Sequence, residues 1–256
     1  MKSLLSFTKK EFFEHFRSAK IYILAGLFLL FAVMNPALAK FTPMLVEMLS
    51  ESMAQNGTLL TVGEVTALDS WVQFFKNIPI ALIVFVILES NIFTKEYQKG
   101  TLVLALTKGL KRYKVVIAKT VVMLVLWTAG YFFCFGMTYI LNDFMWDNTV
   151  AENLGLAVIC WWVMGVMAIS LTVLFSSMAK SNIMVLVGTG GVIFGSYLVG
   201  MLPKIGKFFP TMLMNTTNLI YGMQEASDFK YALIITAVVC VASLVASIPL
   251  FNIYEM

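Results

Sequence analysis

Six long, mainly apolar runs, at 21–39, 77–93, 121–141, 154–178, 183–202 and 231–251, constrain this chain more than any other feature. Each is close to the roughly 20 residues that a helix needs to cross a bilayer. Hydrophobic residues make up 60% of the chain and charged ones 12%, well beyond the roughly 45–50% apolar usage of a soluble domain. The predicted fold class is therefore an all-α integral membrane protein with six transmembrane helices. The short connections leave no room for a sizeable soluble domain, so 1–256 reads as a single membrane domain.

Charge then orients the spans. Between the second and third runs, 94–120 holds Lys95, Lys99, Lys108, Lys111, Arg112, Lys114 and Lys119 against one carboxylate, Glu96. A membrane protein keeps such a loop on the cytoplasmic side. With that loop inside, inner segments carry thirteen of the eighteen Lys and Arg residues, which predicts a multi-pass protein of the cell membrane with both termini cytoplasmic. The first twenty residues contain Lys2, Lys9, Lys10, Arg17 and Lys20 with Leu5, Phe12, Phe13 and Phe16 on one side of a helical projection. That pattern predicts an amphipathic helix lying in the headgroup plane. A secretory signal is the rival, with Ala37-Leu38-Ala39 imitating a cleavage site, but Glu11 and Glu14 are unlike a short basic leader. Asn35-Pro36 falls near the outer end of the first span, where a lost backbone bond is best tolerated. Residues 40–76 read as a polar outer connection. Residues 203–230 are half apolar, and predict a short helical segment half-dipping into the outer interface before span six.

Catalytic chemistry is hard to place. The one histidine, His15, sits in the amphipathic lead-in without a nucleophile or metal-ligand motif around it. Gly200 to Phe208 imitates a Walker A loop, but its glycines are wrongly spaced and Phe208 stands where magnesium needs Ser or Thr. No catalytic residue, metal site or cofactor site is expected in this chain. Cys134, Cys160 and Cys240 fall inside apolar runs and suggest neither disulfides nor zinc. Scattered cations without an aromatic groove exclude nucleic acid as a partner. Gly188, Gly190, Gly191, Gly195 and Gly200 of the fifth span read as sites of close helix approach. Glu89 is the one ionisable residue clearly inside a span, and is the candidate for an intramembrane functional group. Its place one turn from the inner end also allows an interfacial role, pairing with water or a loop lysine.

Within the basic loop, Thr101 precedes Leu102, Val103, Leu104, Ala105 and Leu106, and Gly109 follows. This is an N-cap, about two helical turns and a C′ glycine. Six spans, an interfacial lead-in, this loop and a half-dipping segment before span six together resemble the ABC-2 type permeases. The family pattern of an acidic residue, Gly-Thr, a leucine-rich stretch, a turn with a following Arg, and a Lys entering the next span is matched by Glu96, Gly100-Thr101, Leu102 to Leu106, Gly109 with Arg112, and Lys119. Where many members have Pro-x-Ser-Arg, this chain has Gly109-Leu110-Lys111-Arg112.

The resemblance implies the membrane subunit of an ATP-binding-cassette exporter. Glu96, Gly100, Thr101, Leu102, Leu104, Leu106, Gly109 and Arg112 would form a coupling helix docking on a separate nucleotide-binding subunit, which would carry ATP and Mg. A second permease copy or homologue would complete the substrate path. Rivals from other classes are an ion-coupled secondary carrier using Glu89 and a non-transporting immunity or sensing component.

Overall fold

The computed structural model describes residues 2–54, 64–95, 107, 111–179, 181–202 and 205–253. In chain order the helices are α1 (Lys2–Phe16), α2 (Ala19–Ala54), α3 (Ala67–Glu89), α4 (Arg112–Met145), α5 (Leu154–Met178), α6 (Asn182–Gly200), α7 (Thr216–Ile220) and α8 (Lys230–Ile253). Six of them, all but α1 and α7, contain stretches long and apolar enough to cross a membrane. No strand occurs among the described residues. The start of α4 bonds to the end of α8 through Arg112 and Phe251, and Thr94 bonds to Asn182 at the start of α6. These bonds gather one set of helix ends, here called the loop end.

Several helices outrun the apolar runs that announce them. α2 continues through Lys40 and Glu47 to Ala54, and α3 begins at Ala67 instead of 77. The outer connection is correspondingly narrower than the polar residues of 40–76 suggested. Well-spaced charges on a helix leave its backbone ladder intact. At α3 the start is set instead by Asp69 at the third helical position, whose carboxylate accepts from Thr66 N at 2.9 Å. α5 coincides with its run at both ends.

Trp127 centres the core. Its ring meets Phe28 and Phe85 edge-on, with centroids 6.0 and 5.6 Å away, and stacks on Tyr131 at 5.4 Å. Tyr131 hydroxyl donates to Val158 O at 2.7 Å, which satisfies the one polar atom of a fully buried ring. Glycines make the room: a Cβ at Gly165 would overlap the Trp127 ring, and one at Gly130 would overlap Phe28.

Pro36 shows how a proline is accommodated in this setting. Lacking an N–H, it leaves the carbonyl of Ala32 without its helical donor. Thr138 Oγ1 of α4 donates to that carbonyl at 3.3 Å. Asn35 Nδ2 then donates to Thr138 Oγ1 at 3.4 Å, and Asn77 Nδ2 of α3 donates to Asn35 Oδ1 at 2.7 Å. All three side chains are buried, so α2, α3 and α4 are fastened by an uncharged relay that runs to the orphaned carbonyl.

α5 and α6 are opposites in burial. α5 has buried residues around its whole circumference, whereas Val185 and Thr189 are the buried residues of α6. Gly188 admits the Phe175 ring, and Gly200 lies against Thr211. Gly190, Gly191 and Gly195 face open space, so these three serve no close approach among the described residues. Between α6 and α8, 3₁₀ turns at Gly206–Phe208, Pro210–Met214 and Ala226–Phe229 flank α7. Leu213, Leu219, Ile220 and Phe229 of this segment are fully buried. Trp161, two turns into α5, donates to Thr216 Oγ1 at 3.0 Å. The segment therefore packs along the side of α5, below the helix end.

Candidate functional site

Of the loop residues singled out by the sequence, Glu96, Gly100, Thr101, Leu102, Leu104, Leu106 and Gly109 lie outside the described residues. Arg112 is described: it opens α4, and its guanidinium donates to Phe251 O at 3.2 Å. A cation on the terminal carbonyls of α8 is favoured by the helix dipole.

The two feet of the loop are held by α1. On the outgoing foot, Lys95 Nζ lies 3.9 Å from Glu14 Oε1. On the returning foot, Lys119 Nζ lies 2.8 Å from Glu11 Oε2, both side chains being almost wholly buried. Lys114 Nζ donates to Ser3 Oγ at 2.8 Å. Lys10 adds contacts of 3.1 Å to Glu11 and 3.0 Å to Glu14. Burial pushes the Glu14 carboxyl up, but the Lys10 hydrogen bond and the Lys10, Lys119 and Lys95 charges hold it below its ordinary value.

α1 is thus more than a surface helix. Its face carrying Leu4, Phe7, Glu11 and His15 turns toward the protein, while Leu5, Phe13 and Phe16 are exposed. Phe12, assigned by projection to the same apolar side as those three, is half-buried at the inner edge of that side. The exposed stripe suits contact with lipid; the inward stripe carries the ion pairs.

Glu89 is the last residue of α3 and is fully buried. His15 Nε2 sits 3.0 Å from its Oε2, and Lys20 Nζ 3.9 Å from its Oε1. Lys20 also donates to Asn91 Oδ1 at 2.5 Å. The described side chains that pair with Glu89 come from the amino-terminal segment. A cavity of about 40 Å³ beside the cluster is lined by Glu11, Glu14, His15, Lys20, Glu89 and Lys119, among others. That is room for a few waters. Among the described residues no group of acidic, His and Cys side chains could hold a metal ion.

Residues 5–253 match the family described as ABC-2 family transporter protein. The chain belongs to the ABC-2 transporter family. No curated protein matches it. As an ABC-2 family member it is a multi-pass membrane component of transport, and not itself the catalytic part. Of the residues matched to the family pattern, Lys119 is the one that pairs with α1, through Glu11, at the returning foot of the loop.

Sequence reasoning passed over His15 and Glu11 in this ABC-2 chain. His15 looked partnerless because its partner is 74 positions away. One signal was available: a buried carboxylate at the end of a span demands a cation, and the amphipathic lead-in supplies Lys9, Lys10, His15, Arg17 and Lys20.

Proposed function

We propose that this chain is the membrane subunit of an ATP-driven exporter, with loop 94–120 coupling it to separate nucleotide-binding subunits that carry ATP and Mg. Two permease chains, identical or related, line the substrate path, and both termini face the cytoplasm. Membership of the ABC-2 family supports the transport role. The observation that carries the coupling reading is that both feet of the basic loop end in one clamp: Glu14, Glu11 and Ser3 of a single helix hold Lys95, Lys119 and Lys114. A loop that served only to orient the protein needs charge but no rigid seat. A push on the loop reaches α1, α3 and α4 together. The bare α6, with Gly190, Gly191 and Gly195 open, offers a face for the second permease chain.

The ion-coupled carrier requires Glu89 to exchange ions along a path, yet its carboxylate is held by His15 and faces Lys20. The test is reconstitution in sealed vesicles with the cognate ATPase. Two permease and two ATPase chains are expected in the complex, and transport is expected to need ATP on the loop side and to survive collapse of proton and sodium gradients. Gradient-driven transport by the isolated chain would sink the proposal.

A further inference from the structure

His15 is the sole histidine of the chain, and both its ring nitrogens face acceptors. Nδ1 lies 3.1 Å from the Glu11 carbonyl and Nε2 3.0 Å from Glu89 Oε2. A neutral imidazole has one donor and one acceptor, so it satisfies at most one of these contacts while Glu89 is ionised. The imidazolium satisfies both. Glu89 depends on it, because its second oxygen, Oε1, is buried without a hydrogen-bond partner among the described residues.

We propose that His15 is a proton-operated latch, which when protonated clamps the last turn of α1 onto Glu89 of α3 and when deprotonated releases that turn from the bundle. This goes beyond the transport reading and does not depend on it. The charges facing the latch come from every neighbouring element: Lys10, Glu11 and Glu14 on α1, Lys20 on α2, Lys95 after α3, and Lys119 on α4. Most are paired among themselves. Glu11 is taken by Lys119 and Lys10, Glu14 by Lys10 and Lys95, and Lys20 hydrogen-bonds to Asn91. Among the described residues Glu89 keeps one hydrogen bond, from His15, beside the longer ion pair with Lys20.

Burial alone would lower the basicity of His15, but the Glu89 hydrogen bond and charge and the Glu11 carbonyl carry it above the ordinary histidine value. The sign follows from linkage. A raised folded-state value means that the latch is fully engaged below the ordinary histidine range and is lost as pH rises through the elevated value. Each unit of elevation corresponds to about a tenfold weakening of α1 docking once the proton has left.

A lone histidine makes the test direct. In the full-length chain in lipid nanodiscs, selectively labelled histidine gives one imidazole NMR signal, expected to titrate above about 6.5. Hydrogen exchange of α1, corrected for intrinsic rates and referenced to α5, should lose protection across the same titration, about tenfold for each unit by which the imidazole midpoint exceeds the ordinary value. His15→Gln keeps an N–H for Glu89 without a titrating proton and should abolish that pH dependence. Glu89→Gln should move the imidazole midpoint down to the ordinary value or below. An imidazole already titrating there in the unsubstituted chain would overturn the latch, as would α1 protection that ignores pH or that falls equally in His15→Gln.

Discussion

Two polar assemblies share α3 and α4 at different depths, and they are built from different chemistry. At the loop end, α1, α3 and α4 are joined by ions: Glu89 with His15, and Glu11 with Lys119. Farther along, α2, α3 and α4 are joined by Asn77, Asn35 and Thr138, which carry no charge. A charge deep in hydrocarbon costs several kcal/mol even when it can reach toward the interface, whereas an amide or hydroxyl only needs a partner. The neutral relay supplies those partners in series and ends on the carbonyl that Pro36 vacates. Ions are used where the bundle meets water and the amino-terminal helix. The consequence is a division of behaviour: the loop end responds to protons, and the far tie does not.

The largest break in that contrast should come from Lys119→Met. It leaves the Glu11 carboxylate, only 2% exposed, with Lys10 and without its buried partner, and removing one member of a buried pair costs up to about 3–5 kcal/mol. Detergent-denaturation midpoints should fall accordingly, with α1 exchanging first. Converting Glu11 to Leu as well should recover most of the loss, because no unpaired charge remains. If the double variant is as unstable as the single one, the clamp is held by packing and the ionic half of the comparison fails.

A smaller effect is expected from Thr138→Val, which keeps the shape of the side chain and removes its hydroxyl. The Ala32 carbonyl and Asn35 Nδ2 each lose a partner, at about 1–3 kcal/mol for a buried group left unsatisfied. This cost should be the same from mildly acidic to mildly alkaline pH, since none of the three side chains titrates there. A pH-dependent penalty would erase the distinction between the two ties. Asn77→Leu should act in the same direction, through Asn35 Oδ1.

Why one tie was more legible than the other can be traced to particular residues. The spans announce themselves through continuous apolarity, and 154–178 is read to the residue because Asn153 and Ala179 interrupt it with non-helical backbone. α2 beyond 39 is not read, since Lys40 and Glu47 look like an outer connection until a helix is seen to carry them. Asn35-Pro36 was visible as a backbone defect, but the Thr138 that repairs it lies 106 positions from Ala32 and looks like any other threonine in a span. Glu89 was visible as a charge in need of a cation. The identity of that cation was not, because periodicity orders residues on one helix and says nothing about which helix lies alongside. The coupling residues Glu96, Gly100, Thr101, Leu102, Leu104, Leu106 and Gly109 were assigned by family pattern and lie outside the described residues, so their assignment rests on that pattern.

The smallest effect sharpens the comparison from the acid side. Glu14 is about half exposed and meets Lys10 at 3.0 Å and Lys95 at 3.9 Å. Solvent screens such pairs, so Glu14→Gln should cost less than about 1 kcal/mol. Its pH dependence has the opposite sign to that of His15. A carboxyl held below its ordinary value contributes fully above the unfolded value of 4.5 and is lost as pH falls through the folded one. Difference measurements between Glu14→Gln and the unsubstituted chain should therefore converge in acid, while those for His15→Gln separate in alkali. The Glu14 difference should also shrink with added salt, as an exposed pair must, whereas the buried Glu11 and Lys119 pair should hold. Equal salt sensitivity at both pairs would mean that water reaches Lys119, and the gradient from screened rim to dry ionic clamp to neutral tie would collapse to a single polar layer.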